Sequence, residues 1–207
     1  MPAIALLADV LPAMQPLDVF LAADESPLSR GIQKVTGGDA GHCMLVEEVL
    51  ACDARLIETL GRGVTQMWLS SRVKDYAASD MGRLFWLPLS PAFRATLDEA
   101  AALGWLRDQI GVRYGAGQAL MSGLSWRFPW IPKTESFRRS HCSELIIGAF
   151  KAGHGAGFEK WNASEANPKD VGQAQIYSDA VQVVWQAPLR HFNEVPPHLM
   201  AVGVNQD

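Results

Sequence analysis

The chain has 207 residues, 48% apolar and 19% charged, with a formal net charge of −4. Such a composition excludes a disordered chain, and the length suffices for one hydrophobic core without disulfide staples. The acidic balance excludes a broad nucleic-acid footprint, which needs an excess of Lys and Arg on some face.

The three cysteines, Cys43, Cys52 and Cys142, are odd in number and uneven in spacing, so they are not a disulfide framework. The opening MPAIALLADVLPAM is apolar, but no Lys or Arg precedes it, Asp9 interrupts it and no small-residue cleavage site follows. It is expected to pack on the domain as a structural segment, not to act as a signal peptide. No run reaches the roughly 18–20 apolar residues of a spanning helix, so no membrane span is expected. The expected setting is the cytoplasm, or delivery by a route other than Sec export. Reducing conditions there suit unpaired thiols.

Leu17–Ala22 reads as a short buried strand. Leu28–Val35 reads as a brief helix, with Ser26 as N-cap and Pro27 at the first helical position. The cluster Gly37-Gly38-Asp39-Ala40-Gly41 breaks it. His42–Val49, Ala54–Leu60 and Val64–Leu69 read as three strands of an antiparallel meander, the last two joined by the turn Gly61-Arg62-Gly63. Leu84–Leu87, ended by Pro88, is a fourth strand of this region. Pro91–Ile110 reads as one long helix capped by Ser90, with Phe93, Leu97, Ala100, Ala101, Leu103 and Leu106 on one face and Gly111 as its stop. Residues 115–139 are rich in Gly, Ser, Pro and Trp without a period, which marks a functional loop or one ordered by short turns. A second helix runs from about His141 to Ala152, stopped by Gly153 and Gly155. Ala180–Gln186 is a late strand. Helices and strands in separate blocks make the class α+β.

Chemistry concentrates at Ser140-His141-Cys142-Ser143-Glu144-Leu145. Cys142 falls in the first turn of a helix, where unsatisfied N–H groups and the positive end of the dipole stabilise a thiolate. The same N–H groups suit the oxyanion of a tetrahedral intermediate. From position alone, a small buried core residue fits Cys142 equally well. A nucleophile needs a base, and the candidates are His42, His141, His154, His191 and His198. His141 adjoins Cys142, but successive helical residues point about 100° apart. His154 lies at the far end of the helix, and His191 and His198 fall in a Pro-containing tail. His42 opens a strand directly after a glycine-rich loop, where a side chain can be aimed into a cleft.

These segments carry a family resemblance. Cys142-Ser143-Glu144-Leu145-Ile146, followed by Ala149-Phe150, resembles the Cys-Ser-(Gly/Glu)-Leu helix of NlpC-type papain-fold peptidases. Gly111-Val112-Arg113-Tyr114-Gly115 resembles the Gly-x-x-Tyr element that precedes that cysteine. In ordinary members the histidine follows the cysteine. Here Gly38-Asp39-Ala40-Gly41-His42 comes 100 residues before it, an order that resembles the circularly permuted, YiiX-like branch and lecithin:retinol acyltransferase-like enzymes. Leu17-Asp18-Val19-Phe20 is similar to the opening strand of that branch, with Leu17 in place of the usual Gly. Ser29–Thr36, Leu56-Ile57-Glu58-Thr59 with Gly63-Val64, and Asn167-Pro168-Lys169-Asp170-Val171 resemble its other motifs in order. The match spans roughly residues 16–186, which implies a single domain over 1–207 with an N-terminal apolar segment and a C-terminal tail appended.

The resemblance implies a permuted papain-like fold, an antiparallel sheet or small barrel packed against helices. It implies Cys142 as nucleophile, His42 as general base and Glu58 as the group that orients the imidazole. Antiparallel pairing would make His42 and Glu58 cross-strand neighbours on one face. Glu47 and Glu48 are rivals: strand alternation turns Glu47 to the opposite face, and Glu48 shares the face but lies far along it. Tyr114 resembles the family tyrosine of the substrate cleft, and an ordinary core aromatic fits it equally well. Ser143, Trp126 and Trp130 are further candidates for substrate contact. The two Trp belong to an aromatic, Pro-containing stretch (120–137) that is either a lid or docking surface or a cover for the core. Cys43 is expected in the core and Cys52 in a loop. A zinc site from His42, Cys43, His141 and Cys142 lacks any paired ligand spacing, so neither metal nor cofactor is expected. The leading expectation is a thiol hydrolase of amide bonds, those of cell-wall peptides among them, acting on a small peptide or acyl substrate. An acyltransferase or lipid deacylase using the same Cys-His dyad is the second reading, and a non-catalytic binding module the third.

Overall fold

The computed structural model describes residues 3–23, 27–36, 40–78, 82–114, 139–164 and 166–184. The elements in chain order begin with β1 (Ala3–Leu6), α1 (Leu7–Val10), a 3-10 turn (Leu11–Ala13), β2 (Val19–Ala23), α2 (Pro27–Thr36), β3 (His42–Val49), β4 (Ala54–Leu60) and β5 (Gly63–Trp68). Next are α3 (Leu69–Ala77), β6 (Arg83–Leu87), α4 (Pro91–Arg94), α5 (Glu99–Asp108), β7 (Arg113–Tyr114) and β8 (Arg139–Ser140). The last are α6 (Cys142–Ala152), α7 (Pro168–Gln173) and β9 (Val181–Val184). Seven strands form one open sheet in the order β1-β9-β6-β2-β3-β4-β5, and β7 pairs with β8 apart from it. The class is mixed α+β, and no helix among the described residues is long and apolar enough to cross a membrane.

Of the two forms expected, sheet or small barrel, the structure has the open sheet. It is not wholly antiparallel, because β1 runs parallel to β9 with Ala3 opposite Val181. The N-terminal apolar segment supplies this edge strand, and Leu7, Val10, Leu11 and Met14 behind it are buried. The meander β3-β4-β5 is antiparallel, with Met44 opposite Glu58 and Glu58 opposite Thr65.

Both faces of the sheet are covered. One carries Leu17, Val19, Cys43, Leu45 and Ile57 against Ala102, Leu106, Leu145, Ile146 and Phe150 of α5 and α6. The other carries Phe20, Met44, Val46 and Leu56 against Leu7, Val10, Leu69 and Val73 of α1 and α3. This alternation along β3 follows from the two-residue period of a strand. Helix α6 is the central helix: Cys142 through Phe150 are all buried. It approaches α5 so closely that a Cβ on Gly148 would overlap the Trp105 ring. Phe150 packs edge-on against Phe93 and Phe158, at centroid distances of 5.3 and 5.2 Å.

The expected long helix from Pro91 to Ile110 is two helices. Ser90 caps the first, accepting from Phe93 N, and Asp98 caps the second, accepting from Ala101 N. Asp98 N also donates to Gly153 O at 2.8 Å, which ties the break to the end of α6. Helix α3 begins at Leu69, where the sequence reading places only the end of a strand. Its start has no side-chain cap of its own, and Asp53 from the β3–β4 turn accepts from both the N–H and the hydroxyl of Ser70, at 3.0 and 2.6 Å.

Leu17 lies at φ 67°, the left-handed region that favours glycine. Leu17 is itself fully buried. The next residue, Asp18, is buried and accepts from Trp86 Nε1 at 3.0 Å, Leu89 N at 2.9 Å and Arg94 Nη2 at 2.6 Å, which locks β2 to β6 and α4.

Phe150→Ala removes the ring that joins α6 to Phe93 and Phe158. It is expected to destabilise the fold by about 3–5 kcal/mol, read as a lower denaturation midpoint at unchanged slope in urea.

Candidate active site

The site is built where the start of α6 meets the start of β3. His141 is the N-cap of α6: its Nδ1 accepts from Glu144 N at 3.3 Å, and the buried Glu144 carboxylate accepts from His141 N at 3.4 Å. This reciprocal capping box places Cys142 at the first helical position. His141 is thereby committed to structure, and burial holds its pKa below the ordinary value. Upstream, β7 and β8 pair Tyr114 with Ser140. The Tyr114 backbone therefore runs beside the strand that leads into the helix.

His42 is the first residue of β3. Gly41, just before it, lies so close to α2 that a Cβ would overlap the Ser29 side chain. The His42 side chain is 18% exposed, and its Nε2 donates to Glu58 Oε2 at 2.8 Å. Glu58 sits on β4 opposite Met44, so the His42–Glu58 pair is diagonal across the two strands, not directly opposed. The Glu58 carboxylate is fully buried. Its other oxygen, Oε1, accepts from Arg72 Nε at 2.7 Å and from Arg72 Nη2 as well. Arg72 also donates to Asp75 Oδ2 at 3.0 Å on the outer side of α3. Burial alone would raise the Glu58 pKa, but His42 and Arg72 outweigh it and the carboxyl is held below its ordinary value.

Glu58 shares the α3 face of the sheet with Met44 and Leu56, whereas Cys142 belongs to the α6 face. His42, at the strand end, interacts with both. Burial would lower its pKa; the interactions with Cys142 and Glu58 exceed that and push it up to about 10. Cys142 is 8% exposed. The Cys43 thiol is the largest influence lowering its pKa, burial opposes, and His42 and His141 lower it further, so that it sits well below 9.0. Each group of the pair thus favours the charged form of the other.

The rival acids are engaged elsewhere. Glu47 is buried and accepts from Arg55 Nε at 2.8 Å, Gln66 Nε2 at 2.7 Å and Arg107 Nε at 2.9 Å. Glu48 pairs with Arg55 beside the bulge between Val46 and Glu48. Ser143 is fully buried, and its Oγ accepts from Cys43 Sγ at 3.7 Å and lies 4.0 Å from Cys142 Sγ. Cys52 is exposed. Trp126 and Trp130 lie outside the described residues, as do His191 and His198 and the Tyr114 side chain. Among the described residues no group of three or more His, Cys, Asp or Glu is placed to hold a metal ion.

Three participants are not legible in the sequence. Arg72 stands on α3, whose Leu69/Val73 spacing is a weak helical signal. Cys43 lies beside Cys142, a contact between β3 and α6 that no local pattern encodes. Tyr177 has a buried hydroxyl with no hydrogen-bond partner among the described residues; burial first, and Cys43 second, push its pKa well above 10.0.

No family model matches the chain, and no curated protein matches it. Among solved structures, the crystal structure of metalloprotein yiiX from Escherichia coli O157:H7 is similar, with a TM-score of 0.47 and 19% identity. The match covers 67% of this chain and 66% of that one, just under two thirds of its length.

The His42–Cys142 pair has a definite pH signature. Unfolded, the two groups titrate at their ordinary values of 6.5 and 9.0; folded, Cys142 ionises well below 9.0 and His42 deprotonates at about 10. The His42 contribution to stability is full below 6.5 and is lost as pH rises through about 10. The Cys142 contribution is full above 9.0 and is lost as pH falls through its lowered value, so the two oppose one another where their windows overlap. Above 9.0 the folded chain holds the extra proton and the pair's contribution falls as pH rises through about 10. An NMR titration of the His42 ring is expected to show its midpoint near 10. In Cys142→Ala the midpoint should drop; a wild-type midpoint at 6.5 would refute the ion pair.

Arg72→Met is expected to cost about 3–5 kcal/mol in urea denaturation, because it strips a buried carboxylate of the guanidinium on its Oε1 and leaves it only the His42 contact on Oε2. An unchanged midpoint would show that Glu58 does not depend on the guanidinium.

Proposed function

We propose that this chain is a cysteine hydrolase that cleaves amide bonds through an acyl-enzyme, with Cys142 as nucleophile, His42 as acid and base, and Glu58 as the group that orients the imidazole. The observation that carries the reading is a cysteine at the first position of a buried helix, interacting with an imidazole whose Nε2 is bound by a buried carboxylate at 2.8 Å. The order of the sequence motifs supports a permuted, NlpC-type papain-like arrangement for it.

In this reading, the Cys142 thiolate adds to the substrate carbonyl. The oxyanion that forms faces the positive end of α6, where backbone N–H groups stabilise it. His42, bound to Glu58 through Nε2, has Nδ1 for proton exchange with the reacting atoms. It passes its proton to the leaving amine as the C–N bond breaks and a thioester remains. Neutral His42 then takes a proton from water, and the resulting hydroxide attacks the thioester. Collapse of that second intermediate frees the carboxylic acid and restores the thiolate–imidazolium pair. Glu58 compensates the imidazolium charge throughout, and Arg72 holds Glu58 in place.

The substrate class proposed is a small peptide amide of the kind found in cell-wall peptides. Cys142→Ala is expected to lower kcat/KM on such peptides by about a thousandfold or more, while changing stability by no more than about 1–2 kcal/mol. Assays run side by side on peptidoglycan fragments and on phospholipid vesicles separate amide hydrolysis from acyl transfer or lipid deacylation. Turnover that survives Cys142→Ala would overturn the cysteine mechanism on either substrate.

A further inference from the structure

Cys43 is the buried reactive group that the proposed mechanism does not use. It is fully buried on β3, one residue from His42, and strand alternation turns it to the α6 face. There its thiol donates to Ser143 Oγ at 3.7 Å, and the Cys142 sulfur lies 4.0 Å from that same oxygen. Both sulfurs belong to one core cluster, and each is close enough to shift the other's proton affinity. The third thiol, Cys52, is exposed in the β3–β4 turn.

We infer that Cys43 is a resolving cysteine for Cys142, so that oxidation of Cys142 by a hydroperoxide ends in a reversible Cys43–Cys142 disulfide. This rests on the reactive Cys142 thiolate of the proposed function and not on which bond the enzyme cleaves. In the first step the Cys142 thiolate attacks the O–O bond. An S–O bond forms, the O–O bond breaks, and the leaving alkoxide or hydroxide takes up a proton. Sulfur is oxidised by two electrons to a sulfenic acid and the hydroperoxide is reduced to an alcohol or water. In the second step Cys43 sulfur attacks Cys142 sulfur. The S–S bond forms, the S–O bond breaks, and the hydroxyl departs with the Cys43 proton as water. Closing the bond to about 2.05 Å breaks the Cys43–Ser143 contact. It also caps the nucleophile before the sulfenic acid advances to the irreversible sulfinic acid. A dithiol reductant regenerates both thiols by exchange.

The test uses the full chain, reduced, exposed to hydrogen peroxide, blocked with N-ethylmaleimide and digested without reductant. The expected peptide map shows Cys43 joined to Cys142 with the loss of two hydrogens, Cys52 alkylated, and both linked thiols recovered after dithiothreitol. In Cys43→Ser and Cys43→Ala, Cys142 is expected to advance to sulfinic acid under the same exposure. Three outcomes overturn the inference: Cys142 still free, Cys142 sulfinic acid as abundant in the wild type as in the variants, or Cys52 in the cross-link. The wild-type map decides the matter even if both variants fail to fold. The readout is a mass, so its failure is distinct from a failure of amide hydrolysis.

Discussion

The buried carboxylate of Glu58 is the constraint on which the site depends. A charge removed from water is tolerated when it is paired and hydrogen-bonded on its remaining lone pairs. Glu58 meets that condition with Arg72 on one oxygen and His42 on the other. The requirement reaches well beyond the site. It fixes the register of β4, because a slip of one residue would turn Glu58 to the face lined by Ile57 and Leu45. It brings α3 against the sheet, and it leaves the imidazole one defined orientation beside Cys142.

The other half of the site comes from packing. Helix α6 is buried from Cys142 through Phe150, so its first turn is placed by the core as a whole. Gly148 admits the Trp105 ring, Phe150 engages two further rings, and the His141–Glu144 capping box defines where the helix starts. Cys142 is consequently presented by a rigid element. The same packing accounts for the nearness of Cys43: the strand that presents His42 at its end necessarily turns the next side chain towards α6.

Leu17 illustrates a local preference overridden by the fold. A left-handed backbone at a residue with a Cβ costs about 1–2 kcal/mol. Leu17 accepts that conformation at φ 67° while its side chain is fully buried and its N–H donates to Val46 O at 2.7 Å. Burial of a leucine side chain contributes about 1.5–3 kcal/mol, which is enough to offset the strain.

Local patterns in the sequence are informative wherever one segment carries its own signal. The alternation of β3 and β4, the Ser90-Pro91 helix start and the apolar run after Cys142 each depend on neighbours along the chain, and the corresponding elements are present. The single helix read from Pro91 to Ile110 divides where Asp98 bonds to Gly153, a residue distant in sequence. Helix α3 carries little local signal, because the group that holds its start, Asp53, comes from another turn. The parallel pairing of β1 with β9 joins residues near opposite ends of the described chain, and strand propensity carries no information about partners. By itself, the sequence determined the α+β class, the start of the Cys142 helix and the residue types available for chemistry, because capping and periodicity act over a few residues. The tertiary structure alone decided that Arg72 clamps Glu58, that Glu47 is committed to Arg55 and Arg107, and that Cys43 adjoins Cys142. Those are contacts between elements, set by which faces the core buries and which charges must be paired once water is excluded.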